Sequence, residues 1–275
     1  MSNKHKDRRG PPPGVQQAIA AAQKPKIVEW LLDAMVDGIE YGSIVGVTPP
    51  PNKDLGVQIK KALHEIEAIR NRPCIAYVGN VVRPGEGSGV EASDDVPFSE
   101  LAQSVPVEHK KVDVFLATNG GSGQQVVRFV NSLRKRFDEV DFIIPSVAMS
   151  AGTLFALSGD RIWMNPQAAL GPVDPQIPTK DGRFVPAQAL LLLVAELQKQ
   201  GQEALTNAQP VPWTAVRMID SIDKKELGDA ITASQYASNM ASQFLNDYKF
   251  RNWTVRESSQ QPVTPDYRLR RAKEV

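Results

Sequence analysis

The sequence is poor in two residue types on which many active sites depend. Its 275 residues include one cysteine, Cys74, and three histidines, of which His5, His64 and His109 all precede the middle of the chain. A single cysteine excludes an intrachain disulfide and a metal site built from cysteines, and it favours a reducing compartment. We therefore expect a cytoplasmic protein that uses neither a metal nor a cofactor.

Long apolar runs and an excess of one charge are also missing. Residues 142–159 carry no charge and approach the length of a membrane-spanning helix, but they contain Pro145 and Gly152. We expect a strand followed by a helix there, and no transmembrane segment. With 32 Lys and Arg against 31 Asp and Glu, the net charge of +1 gives no general attraction to nucleic acid or anionic lipid. Nucleic acid is therefore not expected as a partner unless charges gather in a local patch.

Composition and apolar periodicity divide the chain into one large domain and two extensions. Residues 1–25 are predicted to form a disordered basic tail, residues 26–250 a single α/β domain, and residues 251–275 a polar tail of mixed charge.

The centre of the chain has the pattern of a βαβ unit. Residues 112–117 and 140–144 are apolar runs typical of buried strands, and residues 124–137 between them have helical periodicity. Such a unit predicts parallel strands joined by a right-handed crossover. The other predicted segments are helices at 26–41, 54–69, 150–157, 186–200, 212–228 and 231–249, strands at 74–78, 161–164 and 168–173, and a flexible loop at 83–95.

The turn after the first of these strands is close to a dinucleotide-binding fingerprint. Gly121 and Gly123 have the spacing of its first two glycines, and Asp141 follows about twenty residues later. Val126, however, occupies the position of the third glycine, which permits close packing of helix on strand. A phosphate-binding P-loop is disfavoured further, because no Gly-Lys-Ser/Thr follows.

The turn after the second strand carries a candidate nucleophile. Ser150 lies where a strand gives way to a helix, one residue away from the Gly-x-Ser-x-Gly elbow of α/β-hydrolases. That fold needs a histidine downstream, and none follows Ser150. His64 is predicted on the polar face of its helix and His109 in an exposed linker, so neither is expected to serve.

Both turns should emerge at the same edge of a parallel sheet. The backbone N–H groups of the Gly120–Gly121 turn and of Ala151 would then converge on a carbonyl oxygen attacked by Ser150, forming an oxyanion hole. The alternative is that the glycines only form a turn and Ser150 only caps a helix.

Three motifs in this order resemble the serine dehydrogenase proteinase family of the Clp protease and crotonase superfamily, related to signal peptide peptidase A. They are Ala117-Thr-Asn-Gly-Gly-Ser-Gly123, Pro145-Ser-Val-Ala-Met-Ser-Ala-Gly-Thr153 and Leu170-Gly-Pro-Val-Asp-Pro-Gln176. The resemblance implies a Clp protease/crotonase-like spiral of parallel strands with outer helices. It also implies a serine nucleophile at Ser150, oxyanion donors from Gly120 or Gly121 and from Ala151, and a homo-oligomer.

The residue that activates the serine is not identified by the resemblance. Asp174 stands where Clp-type proteases have a histidine, and it could hold a base, bind a peptide amine or cap a turn. A Ser-Lys dyad is the family alternative, because a lysine with a lowered pKa can activate serine. Lys180 is the lysine nearest to the expected loop, and the other downstream candidates are Lys199, Lys224 and Lys225.

The leading hypothesis is an intracellular serine endopeptidase, a hydrolase that cleaves peptides or proteins through a Ser150 acyl-enzyme. The alternative is a catalytically inactive oligomeric scaffold or peptide-binding module of the same fold, which explains the missing histidine without a further base. Acyl-CoA chemistry of the crotonase type is a third hypothesis, which the serine motif disfavours.

Overall fold

The computed structural model describes residues 55–81 and 88–274. The predicted tail at 1–25, the predicted helix at 26–41 and His5 lie outside the described residues. No helix in the described part of the chain is both long and apolar enough to cross a membrane. Residues 142–159 instead contribute to two strands and a helix, where one strand followed by a helix was predicted.

The described elements alternate between strands and helices along most of the chain. The helices are α1 (Leu55–Arg70), α2 (Asp95–Ser104), α3 (Gly123–Arg136), α4 (Ala151–Leu157), α5 (Ala187–Thr206), α6 (Trp213–Ser221), α7 (Lys224–Phe244) and α8 (Pro265–Glu274), with a 3₁₀ turn at Ala92–Asp94 and a π-helical turn at Leu245–Lys249. The strands are β1 (Cys74–Val78), β2 (Lys111–Ala117), β3 (Glu139–Ile144), β4 (Val147–Ala148), β5 (Arg161–Met164), β6 (Ala169–Leu170), β7 (Gln176–Pro178) and β8 (Phe184–Pro186).

A parallel sheet organises the fold. Its strand order is β1-β2-β3-β5, and every neighbouring pair is parallel. The predicted βαβ unit is confirmed as β2, α3 and β3. The short strands β4 and β6 form a second parallel pair, and β7 and β8 form an antiparallel hairpin. Because parallel strands end at the same edge, the turns after β2 and β4 are brought to one side of the protein.

Apolar side chains from the sheet and the surrounding helices form one main core. Helix α3 contributes Val126, Phe129, Val130 and Leu133, which recur at the spacing of a single helix face. Phe129 stacks on a phenylalanine of α2 at 4.1 Å between ring centroids and also contacts Phe155 of α4. Burial of each such ring contributes about 1.5–3 kcal/mol, so the core holds α4, the helix that follows Ser150, firmly on the sheet.

An ionic network lies at the end of the sheet opposite to the turns that follow β2 and β4. The register places Asp113 of β2 directly beside Asp141 of β3, and both side chains are fully buried. Arg70 at the end of α1 donates to Asp113 at 2.6 Å and to Asp141 at 3.0 Å. Arg72 donates to Asp141 at 3.2 Å and to Glu139 at 2.9 Å. Buried carboxylates require such partners, so α1 is tied to the first residues of the central strands.

The structure differs from the predictions in several segments. In the predicted loop at 83–95, Val90 is buried and pairs with Gly121, and α2 begins at Asp95. The predicted helix at 212–228 ends at Ser221, because the Asp223 side chain accepts from two N–H groups at the start of α7. The predicted polar tail contains α8, whose first turn is capped by the Thr264 hydroxyl.

Candidate active site

The turns after β2 and β4 are joined directly by backbone hydrogen bonds. Thr118, which follows β2, donates its N–H to Val147 at 3.0 Å and accepts from the N–H of Met149 at 3.0 Å. Thr118 and Ala148 form a parallel bridge. The prediction that the two turns emerge together is therefore confirmed, and Ser150 follows at once.

Ser150 lies at the N-terminus of α4 in a conformation that serine rarely adopts. Its φ is +49° and its ψ is −117°, a sparsely populated region that places the side chain at a sharp bend between strand and helix. Its side chain does not cap the helix, and its hydroxyl makes no hydrogen bond with any described residue. The alternative in which the Ser150 side chain caps the helix is therefore wrong.

The Gly120–Gly121 turn packs so tightly on Ser150 that side chains do not fit. Gly120 has a φ of +108°, and a Cβ there would lie 2.7 Å from the Ser150 Cβ and 2.9 Å from the Met149 oxygen. Gly121 has a φ of +135°, and a Cβ there would overlap the Val90 backbone. Glycine is required at both positions, because an L side chain would meet strain as well as collision.

Val90 closes the outer side of this turn. Its N–H donates to the Gly120 oxygen at 2.6 Å, and its oxygen accepts from the Ser122 N–H at 2.8 Å. These two bonds hold the Gly120–Gly121 backbone from the side opposite Ser150. No local pattern predicts this contact, since Val90 lies within a stretch rich in Gly, Ser and acidic residues.

Two backbone N–H groups beside Ser150 are without an acceptor. Within the described residues, the N–H of Gly121 and the N–H of Ala151 make no hydrogen bond, whereas the Gly120 N–H donates to the Thr118 hydroxyl at 3.1 Å. Ala151 is the first residue of α4, so the helix dipole adds to the positive potential there. The pair suited to an oxyanion is therefore Gly121 and Ala151, and Gly120 has another partner.

Two threonines that sequence reasoning missed hold the site together. Thr118 is fully buried, its hydroxyl binds the glycine turn, and its methyl group fills the space that a side chain on Gly152 would need. Thr153 donates its hydroxyl to the Ala148 oxygen at 2.7 Å and accepts from the Gly171 N–H at 2.7 Å. Thr153 thereby links the first turn of α4 to the loop that leads to Asp174.

Asp174 caps a helix. Its Oδ1 accepts from the N–H of Gln188 at 3.1 Å, at the start of α5, while the adjacent Pro175 oxygen accepts from the Ala187 N–H at 2.8 Å. Of the roles considered for Asp174, the geometry favours capping. Its carboxylate makes no hydrogen bond to Ser150 or to any described lysine.

Lys180 lies on the exposed turn between β7 and β8 and is paired elsewhere. Its side-chain amine forms an ion pair with Asp223, and its backbone N–H donates to the Glu226 carboxylate at 2.8 Å. The hydrogen bond that the Lys180 amine donates to the Asp223 carboxylate, supported by the charge of that carboxylate, raises the pKa of the Lys180 amine. A lysine that activates serine needs a lowered pKa, so this pairing opposes the predicted role.

Two of the other candidate lysines also lie in unrelated contacts. Lys199 is 3.9 Å from Glu203, and Lys225 is 2.6 Å from Asp229. The predictions of a solvated His64 and an exposed His109 are confirmed, and His64 Nδ1 lies 2.8 Å from a Glu67 oxygen. No described lysine or histidine therefore hydrogen-bonds Ser150.

The structure also disfavours the dinucleotide interpretation. Val126 is fully buried where the fingerprint has its third glycine, and Asp141, which would bind the ribose, is fully buried in the ionic network. Among the described residues, no three His, Cys, Asp or Glu side chains gather as metal ligands would.

Comparisons with known proteins identify the segment that contains these turns. A family model described as ClpP-like SDH-type serine proteinase matches residues 91–209. Two uncharacterized proteins of Methanocaldococcus jannaschii are similar to this chain, one 41% identical over 68 residues and the other 34% identical over 98 residues. The matches cover 25% and 36% of this chain but only 24% and 32% of those relatives.

The matched segment includes the glycine turn, Ser150 and Asp174. It also includes the parallel strands β2 to β6 with α3 and α4, so the predicted α/β fold of Clp type is confirmed. Residues 91–209 of this chain are therefore similar to the ClpP-like SDH-type serine proteinase family.

Proposed function

We propose that this chain is a serine peptidase in which Ser150 forms an acyl-enzyme with its substrate. The observation that carries the proposal is the pair of unused N–H groups, on Gly121 and Ala151, that flank an unbonded serine hydroxyl. In the first step the Ser150 Oγ bonds to the substrate carbonyl carbon, and its proton passes to a base. The carbonyl oxygen becomes an oxyanion that the two N–H groups stabilise.

The second half of the reaction restores the serine. The peptide C–N bond breaks, the leaving nitrogen takes the proton, and an ester joins Ser150 to the acyl part of the substrate. Water then adds to the ester through the same oxyanion site and releases the carboxylic acid. Loss of one oxyanion donor typically lowers such rates about 100- to 1,000-fold.

Both side chains predicted to act near the serine proton have other partners. Lys180, our predicted base, would have to leave Asp223 and lose its proton, and both its exposure and its raised pKa oppose this. Asp174 would have to release the start of α5. Because Lys180 and Asp174 are both held by other groups, a second candidate function is also favoured, namely a peptide-binding module or scaffold without catalysis. Crotonase-like acyl-CoA chemistry would use the same oxyanion site but does not require a serine nucleophile, so the position of Ser150 does not support it.

A fluorophosphonate probe distinguishes the leading function from the second. We expect the native protein to be phosphonylated at Ser150, located by peptide mass spectrometry, and the Ser150→Ala variant to be unlabelled. Ser221→Ala is a matched control, because Ser221 is an exposed serine at the end of α6. Absence of labelling at Ser150 would refute the peptidase. Binding of a fluorescent casein digest that survives in Ser150→Ala would then support the module.

We further propose that the chain forms a homo-oligomer. Helix α6 buries one residue, Ala215, in the described structure and leaves Trp213 73% exposed and Ile219 48% exposed. A contiguous exposed apolar patch is a mark of a protein–protein interaction site. Analytical ultracentrifugation should show more than one subunit, and Trp213→Lys should reduce the oligomer. A monomeric native protein would refute this part of the proposal.

A further inference from the structure

The last part of the described chain carries a concentration of positive charge that the chain as a whole does not. Residues 249–274 contain seven Lys and Arg against three Asp and Glu, whereas the whole chain has a net charge of +1. The same residues contain the aromatic side chains Phe250, Trp253 and Tyr267. This segment lies outside residues 91–209, which the family model matches.

Residues 249–274 turn back on themselves, so that the two ends of the segment lie together. Arg268 of α8 donates to the Arg251 oxygen at 3.2 Å. The rings of Trp253 and Tyr267 are 5.7 Å apart, and the Arg256 guanidinium lies 3.6 Å from the centre of the Tyr267 ring. Charges and rings that are separated in sequence therefore form one surface.

Three of these seven cations pair with carboxylates in the described structure. Arg251 pairs with Asp160 at 2.7 Å, and Arg270 and Arg271 share Glu274. Arg256 and Arg268 bind only neutral acceptors. Lys249 and Lys273 form no ion pair with a described carboxylate. The surface therefore keeps an excess of positive charge that an anionic ligand would neutralise.

A cavity of about 420 Å³ opens within this surface. Lys249, Phe250, Trp253 and Arg271 line it. The Phe250 and Trp253 rings are 5.6 Å apart, with 57° between their planes. The volume is within the range of small-ligand pockets. Two cations beside two aromatic rings suit a ligand that has both a flat ring and a negative charge.

We propose that this cavity binds single-stranded nucleic acid. A base stacks on the ring of Trp253 or Phe250, and Lys249 and Arg271 contact the adjoining phosphates. Bases of a single strand are available for stacking, whereas those of a duplex are covered by their neighbours. A membrane surface is a poorer fit, because Val255 and Leu269 are the exposed large apolar side chains of the described segment.

The proposed site is remote from Ser150. The charges of Asp141 and Asp160 interact with the Lys249 amine. Asp141 lies near the start of β3, and Asp160 directly precedes β5. Ser150 follows the other end of the sheet. Nucleic acid at this site would therefore leave the Gly121 and Ala151 N–H groups accessible.

Fluorescence anisotropy of a labelled fifteen-nucleotide oligo(dT), with the full chain, tests the proposal. Trp253→Leu should weaken binding about 5- to 150-fold, since one stacked base contributes that much. Trp253→Phe should keep most of the affinity. Lys249→Gln should make the salt dependence of binding shallower by about 0.7 in log–log slope. Arg217→Gln is the matched control, because it removes one exposed charge from α6 and should change nothing.

The comparison ligands are a fifteen-base-pair duplex, inorganic polyphosphate and phosphatidylserine vesicles. Residues 4–9 are basic in every variant, so differences between variants report on the cavity alone. Circular dichroism identifies any variant that fails to fold, and in that case Trp253→Phe and Lys249→Gln decide. The proposal would be overturned if the protein did not bind oligo(dT), or if it bound polyphosphate equally well or vesicles more strongly. It would also be overturned if neither Trp253→Leu nor Lys249→Gln changed the binding of oligo(dT).

Discussion

Replacing Thr118 with valine should impair Ser150 chemistry without changing the shape of the core. Valine has nearly the shape of threonine and keeps a methyl group against Gly152, but it lacks the hydroxyl that accepts the Gly120 N–H at 3.1 Å. Thr118→Ser makes the opposite change, because it keeps the hydroxyl and removes the methyl group. The two variants separate a polar role from a packing role.

The magnitude follows from the burial of the glycine turn. Gly120 is buried, so its N–H would lose its partner away from water, at a cost of about 1–3 kcal/mol. The melting temperature should fall by about 2–4 °C for each kcal/mol. If the backbone turns to recover a hydrogen bond, the Gly121 N–H leaves the oxyanion position. Phosphonylation of Ser150 should then slow by about 100- to 1,000-fold.

The assay is the rate of fluorophosphonate labelling of Ser150, measured alongside thermal unfolding. Val114→Ala provides the control for stability, since Val114 is a fully buried residue of β2 without a hydrogen-bonding side chain. It should lower the melting temperature and leave labelling nearly unchanged, and Thr118→Ser should retain most of the wild-type rate. Labelling of Thr118→Val at the wild-type rate would refute the reasoning, even if that variant were less stable.

Three other changes test the contacts around the site and the sheet. Lys180→Ala should raise the pKa of Asp223 from about 2 towards 3.8, measured by carboxyl-carbon NMR, because the hydrogen bond from Lys180 is the main cause of the lowered value. Because the pKa of Asp223 is lowered in the folded protein, the Lys180–Asp223 pair stabilises the fold above pH 3.8, and this contribution is lost as the pH falls through about 2. An unchanged Asp223 pKa in Lys180→Ala would show that Lys180 pairs elsewhere. Asp141→Asn should destabilise the protein by about 1.5–3 kcal/mol in urea unfolding, since Arg70 and Arg72 each lose one charged hydrogen-bond partner but keep Asp113; a loss below about 1 kcal/mol would contradict the network. Gly121→Ala should lower both stability and labelling, because an alanine Cβ overlaps the Val90 backbone, and a variant with native labelling would contradict this geometry.

Sequence reasoning located the elements whose signals are local. The four strands of the main sheet and α3 were predicted within a few residues, because apolar runs and helical periodicity mark them, and the Gly120–Gly121 and Ser150 turns punctuate them. Parallel pairing then followed from the general behaviour of βαβ units, which is why the two turns could be predicted to meet before any coordinates were considered.

The contacts that complete the site depend on residues distant in sequence. Val90 reaches Gly121 across the β1 to β2 connection, and nothing in its own neighbourhood indicates this. Thr153 meets Gly171, and Lys180 meets Asp223, only after the chain has folded. Charged side chains have many available partners, so their pairing is not encoded in local pattern. Helix α8 was missed because charge dominates it and its apolar face is narrow.

The two halves of the candidate site differ in what determines them. The oxyanion donors are backbone groups, so their positions follow from the strand ends, from glycines that admit no side chain, and from the first turn of α4. The base must be a side chain, which one substitution removes without altering the fold. A chain can therefore retain the first half after losing the second. Fluorophosphonate labelling depends on the nucleophile and the oxyanion donors, whereas turnover of peptides also requires proton transfer to the leaving group. A protein that labels slowly at Ser150 and does not cleave peptides would thus have kept the backbone half of the site alone.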